Sequence, residues 1–271
     1  MEFAVESTYE VEAYNSAKTS DNKIHDDDVA RQFGFAGGLV PGVDVYAYMA
    51  HAPVARWGRD WLARGAMTAR FIKPVYEGET ARVVARPGAD DALEIVVESR
   101  GERCASGTAT LPKATPTPPS PAAFPHRPLP ERKPQASPGS LAADTVLGAY
   151  DCVHASDEAP GYLADVREDL TLYAEEGLVH PGFMLRLANW VLRENVLLGP
   201  WIHVESRVQN FRAAEVDRPL STRGCVTANY ERKGHKFVEL EVLALGRDEA
   251  PLMAVTHTAI YAPRQVAGAG A

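Results

Sequence analysis

Half of the prolines in the chain fall in one stretch. Ten of the 20 lie between Pro112 and Pro138, in a segment whose large apolar residues are Phe124 and Leu129. Proline removes a backbone donor and fixes φ, so neither a helix nor a central strand can run through it. The stretch reads as an extended connector. At about 3.1 Å per residue in polyproline geometry, it is long enough to cross a whole domain. The 271 residues are thereby divided into an N-terminal unit (1–111), a connector (112–139) and a C-terminal unit (140–271). With 45% apolar residues, a chain of this length buries a core without disulfide or metal staples.

The two units look alike. Gly38-Leu39-Val40-Pro41-Gly42 recurs as Gly177-Leu178-Val179-His180-Pro181-Gly182, and at the same offset of 139 residues Phe71-Ile72-Lys73-Pro74 falls on Asn210-Phe211-Arg212-Ala213. A shared offset and a repeated order of elements point to a duplicated unit. Val43, Ala47, Ala50, Val54 and Trp57 recur at spacings of three and four, which predicts a helix over 43–57 that Pro53 kinks or ends early. Met184, Leu187, Ala188, Val191 and Leu192 predict its counterpart between Phe183 and Leu198, stopped by Gly199-Pro200. Strand patterns follow over 65–75, 80–86, 93–98 and 104–111, and again over 203–212, 221–232, 237–245 and 252–261. Turns are expected at Gly101-Glu102 and Lys233-Gly234. One long helix followed by antiparallel strands is an α+β pattern, with the helix on one sheet face.

Charge and composition exclude several classes of partner. The net charge of −8 argues against nucleic acid, because phosphate binding needs clustered Lys and Arg. No apolar run approaches the length of a membrane span. The start, Met1-Glu2-Phe3-Ala4-Val5-Glu6, lacks the basic-then-apolar layout of a signal peptide. Cys104, Cys152 and Cys225 are odd in number and widely spaced, which fits reduced thiols in a cytoplasmic protein.

Chemistry-bearing residues gather before the first helix. On its own, His25-Asp26-Asp27-Asp28 reads as a loop whose acids cap a short helix over 29–33. A metal site is not expected there, since adjacent residues point apart and no second His supplies a ligand spacing. Gly34, Gly37, Gly38 and Gly42 match neither glycine pattern that cradles phosphate, and read as tight packing at a helix start.

Two segments together carry a resemblance. One is Ser20-Asp21-Asn22-Lys23-Ile24-His25-Asp26, with Val29-Ala30 and Phe33-Gly34-Phe35 after it; the other is Gly37-Gly38-Leu39-Val40-Pro41-Gly42. They resemble the MaoC-like (R)-specific enoyl-thioester hydratase family of the hot-dog fold. Asn22, Ile24 and His25 fall on that family's Asp-x-Asn-Pro-x-His-x-Asp signature, and Ala30, Gly34-Phe35 and Gly42 fit the spacing that follows. The likeness covers roughly residues 15–110. It implies a double hot-dog fold, α+β, in which two fused halves each wrap an antiparallel sheet around a central helix, with the pocket where they meet. It also implies a hydro-lyase that adds or removes water at the 2,3 position of an acyl thioester, carried on coenzyme A or on acyl carrier protein, without a cofactor. His25 would be the main catalytic residue, Asp21 and Asn22 would assist, and amides near Gly42 and Val43 would receive charge growing on the thioester oxygen.

The sequence departs from that family where its catalytic Asp belongs. Ser20 stands there, with Asp21 one place later; Lys23 replaces the proline, and Pro41 replaces the His before the helix. A serine hydroxyl does not ionise at neutral pH, so it cannot serve as the carboxylate. The counterpart stretch, residues 161–169, has no His, so at most one of two equivalent sites would be active. His180, at the position of Pro41, either lines the pocket from the second half or is a capped or solvent-facing His at a helix start. Tyr46 and Tyr48 line the pocket or lie in the core. Asp44 reads as a solvated first-turn acid, while His51, His203, His235 and His257 read as structural or surface residues. Ser20 keeps two rival readings open: a hot-dog thioesterase or an enzyme of a non-thioester unsaturated substrate, and an acyl-binding protein without turnover. Association into a homo-oligomer is also open.

Overall fold

The computed structural model describes residues 6–114 and 116–265; residues 1–5, on which the reading of the N-terminus rests, and 266–271 lie outside the described residues. In chain order the strands are β1 (Ser7–Glu12), β2 (Ala66–Phe71), β3 (Thr80–Pro87), β4 (Leu93–Ser99), β5 (Glu102–Thr110), β6 (Tyr150–Val153), β7 (Ile202–Asn210), β8 (Pro219–Arg232), β9 (His235–Leu245) and β10 (Pro251–Ala262). They form one antiparallel sheet in the order β1-β3-β4-β5-β2-β7-β10-β9-β8-β6. Matching the first five strands with the last five makes this order read the same from either edge. The join is β2 against β7, running from Ala66 opposite Gln209 to Arg70 opposite Glu205.

The helices are α1 (Asp27–Gln32), α2 (Gly42–Trp57), α3 (Arg59–Arg64), α4 (Ala159–Asp165), α5 (Leu172–Glu176) and α6 (Pro181–Asn195). Among the described residues, none is long and apolar enough to cross a membrane. The two long helices, α2 and α6, touch each other and the sheet. Between them lies the core, including Tyr46, Met49, Leu185 and Leu187. Pro53 does not end α2 early: the helix continues to Trp57 and stops at Gly58, whose φ is +57°. Pro53 and its neighbours Met49, Ala50 and Val54 are buried, and that packing outweighs one missing backbone bond.

The repeat at an offset of 139 extends to backbone detail. Val40 N donates to Val75 O and Val179 N to Ala214 O, both at 2.9 Å. Isolated bridges join Leu39 to Tyr76 and Leu178 to Glu215. Gly78 (φ +74°) and Asp217 (φ +58°) turn the chain at equivalent places. The eight long strands occur close to where the alternation predicts them. The edge strands do not announce themselves, since β1 buries only Val11 and β6 buries no residue. One hairpin turn lies a residue earlier than expected, at Arg100-Gly101, while Lys233-Gly234 is as expected; all four residues have positive φ, as tight two-residue turns require. The proline-rich connector runs along the C-terminal strands and helix: Leu197 N donates to Pro134 O at 2.7 Å and Arg223 to Phe124 O at 3.2 Å.

Candidate functional site

Two successive caps aim His25. Asn22 Oδ1 accepts from Ile24 N at 3.4 Å and caps a single 3-10 turn over Lys23–His25. Asp26 then caps α1, accepting from Asp28 N at 3.0 Å and Val29 N at 3.1 Å, which is the role that the acidic loop suggests. Ile24 is buried by this turn. The His25 Nδ1 proton is donated to Leu39 O at 2.7 Å, so Nε2 carries the lone pair, and Nε2 meets Asn22 Nδ2 at 3.2 Å. Asn22 is held from the other half of the molecule. Its Oδ1 accepts from Trp201 N at 3.1 Å and its Nδ2 donates to Trp201 O at 3.0 Å. The Trp201 backbone therefore fixes which way the amide faces, and the amide requires Nε2 to be an acceptor. Burial lowers the His25 pKa from its ordinary 6.5, against the opposing pull of the Leu39 carbonyl and the Asp44 charge. The ring is a neutral base at pH 7. A Cβ on Gly38 would lie 2.1 Å from the His25 carbonyl oxygen, so the chain passes the loop here only with glycine.

Helix α2 starts beside this ring. Pro41 O accepts from Asp44 N and Val45 N, and among the described residues the amides of Gly42 and Val43 have no acceptor. Such first-turn amides, backed by the helix dipole, suit a developing oxyanion. Gly42 is pressed on by the other half, since a Cβ there would lie 3.1 Å from His203 Nδ1. Between the halves is a mostly apolar cavity of about 250 Å³, whose lining includes Asn22, His25 and Gly42 on one side and Asn189, Trp201 and His203 on the other. A second cavity of about 190 Å³ shares Asn22, His25, Pro41, Asn189 and Trp201 with it. Neither lining contains an Asp or a Glu.

The predicted residues divide across this cleft. His25, Asn22 and Gly42 line it, Val43 lines the smaller cavity, and so does Ser20, whose hydroxyl donates to Asn22 O at 3.4 Å and to no other described residue. Asp21 is exposed and lies outside both linings. Tyr46 is in the core. His180 is buried as the cap of α6, accepting from Gly182 N at 3.0 Å, and it too is outside the cleft. Asp44 is not solvated: it is fully buried, with Arg186 of α6 at 2.6 Å and the Ser16 hydroxyl at 2.5 Å. Arg186 also donates to Ser16 Oγ at 2.9 Å, so the three groups join the halves beside the smaller cavity. His203 and His257 are buried around Ser206, at 2.8 and 3.1 Å.

A carboxylate does meet a histidine elsewhere. Glu168 Oε2 accepts from His180 Nε2 at 3.1 Å, and Oε1 from His51 Nδ1 at 2.9 Å. Burial would raise the Glu168 pKa, but these two bonds bring it down to about 2. His51, Glu168 and Asp169 place ligating atoms within 4.8 Å of one another. Glu168 Oε1 already takes the amides of Asp169 and Leu170 as well as His51, which makes this cluster a satisfied hydrogen-bond network.

No known family model matches the chain, and no curated protein matches it. Solved structures do. A protein of Chloroflexus aurantiacus J-10-fl described as a MaoC domain dehydratase superposes with a TM-score of 0.64 at 10% identity, over 97% of this chain and 96% of that one. A conserved protein of Mycobacterium tuberculosis, described as having a double hot-dog fold, gives 0.64 at 14% identity over 94% and 95%. A protein of Lactobacillus plantarum described as an oleoyl thioesterase gives 0.54 at 10% identity over 97% and 98%. At these identities the likeness is one of fold: the ten-stranded antiparallel chain is similar along nearly its whole length to double hot-dog proteins.

Proposed function

We propose that the chain is a hydro-lyase acting on a 2-enoyl or 3-hydroxyacyl thioester, with its active site in the cleft between units 1–111 and 140–271, each wrapped around its long helix. The observation that carries this reading is the His25 imidazole: neutral, its tautomer fixed by Leu39 O, and lining two adjoining cavities, one of which is also lined by Gly42 and the other by Val43, whose amides at the start of α2 have no acceptor among the described residues. Hydration needs a base for water, a proton for the α-carbon and donors for the thioester oxygen. His25 supplies the first two in turn, because the proton it takes from water is the one it returns to carbon. Gly42 and Val43 supply the third. Asn22 holds the ring in its basic form, and a reacting water competes with the Asn22 amide for the same lone pair. Coenzyme A and acyl carrier protein are equally compatible as the thiol carrier.

The test is loss of enoyl-thioester absorbance with crotonyl-CoA and longer 2-enoyl-CoAs. Wild type should consume the substrate, and His25→Ala should lose about 10²–10⁴-fold in turnover. An unimpaired variant would sink the proposal. The absence of any carboxylate from the cleft favours a second reading, ligand binding without turnover. Tight acyl-CoA binding that survives His25→Ala, with neither hydration nor thiol release, would establish it. Thiol release alone would mark a thioesterase.

A further inference from the structure

The two cavities meet at five residues, Asn22, His25, Pro41, Asn189 and Trp201, and an oxygen acted on by His25 Nε2 sits among them. Pro41 has no hydrogen-bonding side chain, and the Trp201 indole can only donate. The Asn22 amide is occupied at both ends, by the Trp201 backbone, Ile24 N and His25. Asn189 is different. It lies on α6, in the half opposite His25, and its Oδ1 is buried without any donor. Its Nδ2 makes no hydrogen bond to protein among the described residues. Buried amide oxygens nearly always have a partner. Asn189 itself is half-buried on α6, with the buried Leu185 and Leu192 one turn away to one side and Arg186 and Arg193 to the other, where the smaller cavity opens.

We infer that Asn189 holds the reacting oxygen opposite His25, doing from the second half what a carboxylate would do at the position of Ser20. The inference rests on the hydro-lyase reading. Free of protein bonds at both ends, the amide turns Oδ1 to the cavity without breaking any. In hydration, one water proton passes to His25 Nε2 as the oxygen–C3 bond forms. The C2=C3 electron pair moves onto the thioester as an enolate facing the Gly42 and Val43 amides. His25 then returns that proton to C2 and is neutral again, while the remaining O–H becomes the product hydroxyl and donates to Asn189 Oδ1. Dehydration is the reverse. An amide does this without adding charge, so the His25 pKa stays low; a carboxylate at 189 would stabilise the imidazolium and raise it.

Turnover of crotonyl-CoA by wild type, Asn189→Leu and Asn189→Asp, over about pH 5–9, separates the possibilities. Asn189→Leu should lower kcat about 10–100-fold with KM nearly unchanged, as expected when a contact to the reacting oxygen is lost. Asn189→Asp should keep more activity and move the acidic limb of the kcat profile up by about one pH unit, a change that a purely structural role would not produce. Should the Leu variant misfold, the pH profile of the Asp variant decides. Undiminished kcat in a folded Leu variant, or an unmoved profile in the Asp variant, overturns the role of Asn189 alone. A wild type that hydrates no 2-enoyl-CoA overturns the hydro-lyase reading and this inference with it.

Discussion

The starts of α2 and α6 occupy equivalent places in the repeat and have been built in opposite ways. At α2 the preceding residue is Pro41, which cannot cap, and the Gly42 and Val43 amides remain free beside a cavity. At α6 the preceding residue is His180, whose Nδ1 takes the Gly182 amide. Space is closed there as well: a Cβ on Gly182 would lie 2.5 Å from Tyr162 Oη and 2.6 Å from Ala47 Cβ. The carboxylates follow the same division. His25, in the open half, has an amide on its outer nitrogen, whereas His180, in the closed half, has Glu168. A histidine–carboxylate pair is therefore no guide to the reacting site in this molecule. What marks the open site is unfilled bonding capacity next to unfilled space.

Breaking the link between the two starts should have the largest effect. Asp44 and Arg186 form a largely buried ion pair that ties α2 to α6. Asp44→Ala should destabilise by about 3–5 kcal/mol, read from urea midpoints, because it leaves the guanidinium in the interior without a counter-charge. Asp44→Ala with Arg186→Met should recover much of that loss. A single variant within about 1 kcal/mol of wild type would show that the pair does not hold the halves together.

Next in size is the closed half's dependence on acid. The folded-state pKa of Glu168, near 2 against an ordinary 4.5, means that its contribution is complete above pH 4.5 and disappears as pH falls towards 2. That difference amounts to roughly 3 kcal/mol. Buried histidines add an earlier loss. His180 and His203 have lowered pKa values, His257 is brought down to about 3, and burial is the leading cause in each. The unfolded chain takes up their protons near pH 6.5 while the folded one does not, so their contribution is full above that pH and falls below it. Urea midpoints should therefore drop from about pH 6.5 downwards, and again below about pH 4.5. Glu168→Gln should remove the second drop and keep the first. Stability that stays level from pH 8 to 5 would contradict this account.

What could be read from the sequence follows the range of the interaction. The long strands, both helices and the capped His25 loop are local patterns, and they occur where alternation, spacing and capping residues place them. β1 and β6 escape because an edge strand needs little apolar surface. From sequence Asp44 reads as a solvated first-turn acid, because its partner Arg186 lies 142 residues away on the other half. Glu168 lies in the stretch that has no His, and its partners are His180, the cap of α6, and His51 on α2. Asn189 carries no signal at all: one of several polar residues on α6, it becomes informative only when the cavity beside it is known.

The smallest expected change is also the one that would make the open half more like the closed half. Ser20 lines the smaller cavity with a hydroxyl whose one hydrogen bond among the described residues is to the Asn22 carbonyl at 3.4 Å, so little is lost by replacing it. Ser20→Asp puts a carboxylate in the lining of the cavity that His25 also lines. The new charge should favour the imidazolium that forms when water is deprotonated, and raise kcat for 2-enoyl-CoA hydration about tenfold, equivalent to about 1.4 kcal/mol of barrier. The acidic limb of the pH profile should move upward with it. A variant slower than wild type would mean that a carboxylate at 20 binds the resting site more tightly than the transition state, and that the amide-only environment of His25 is a working arrangement in its own right.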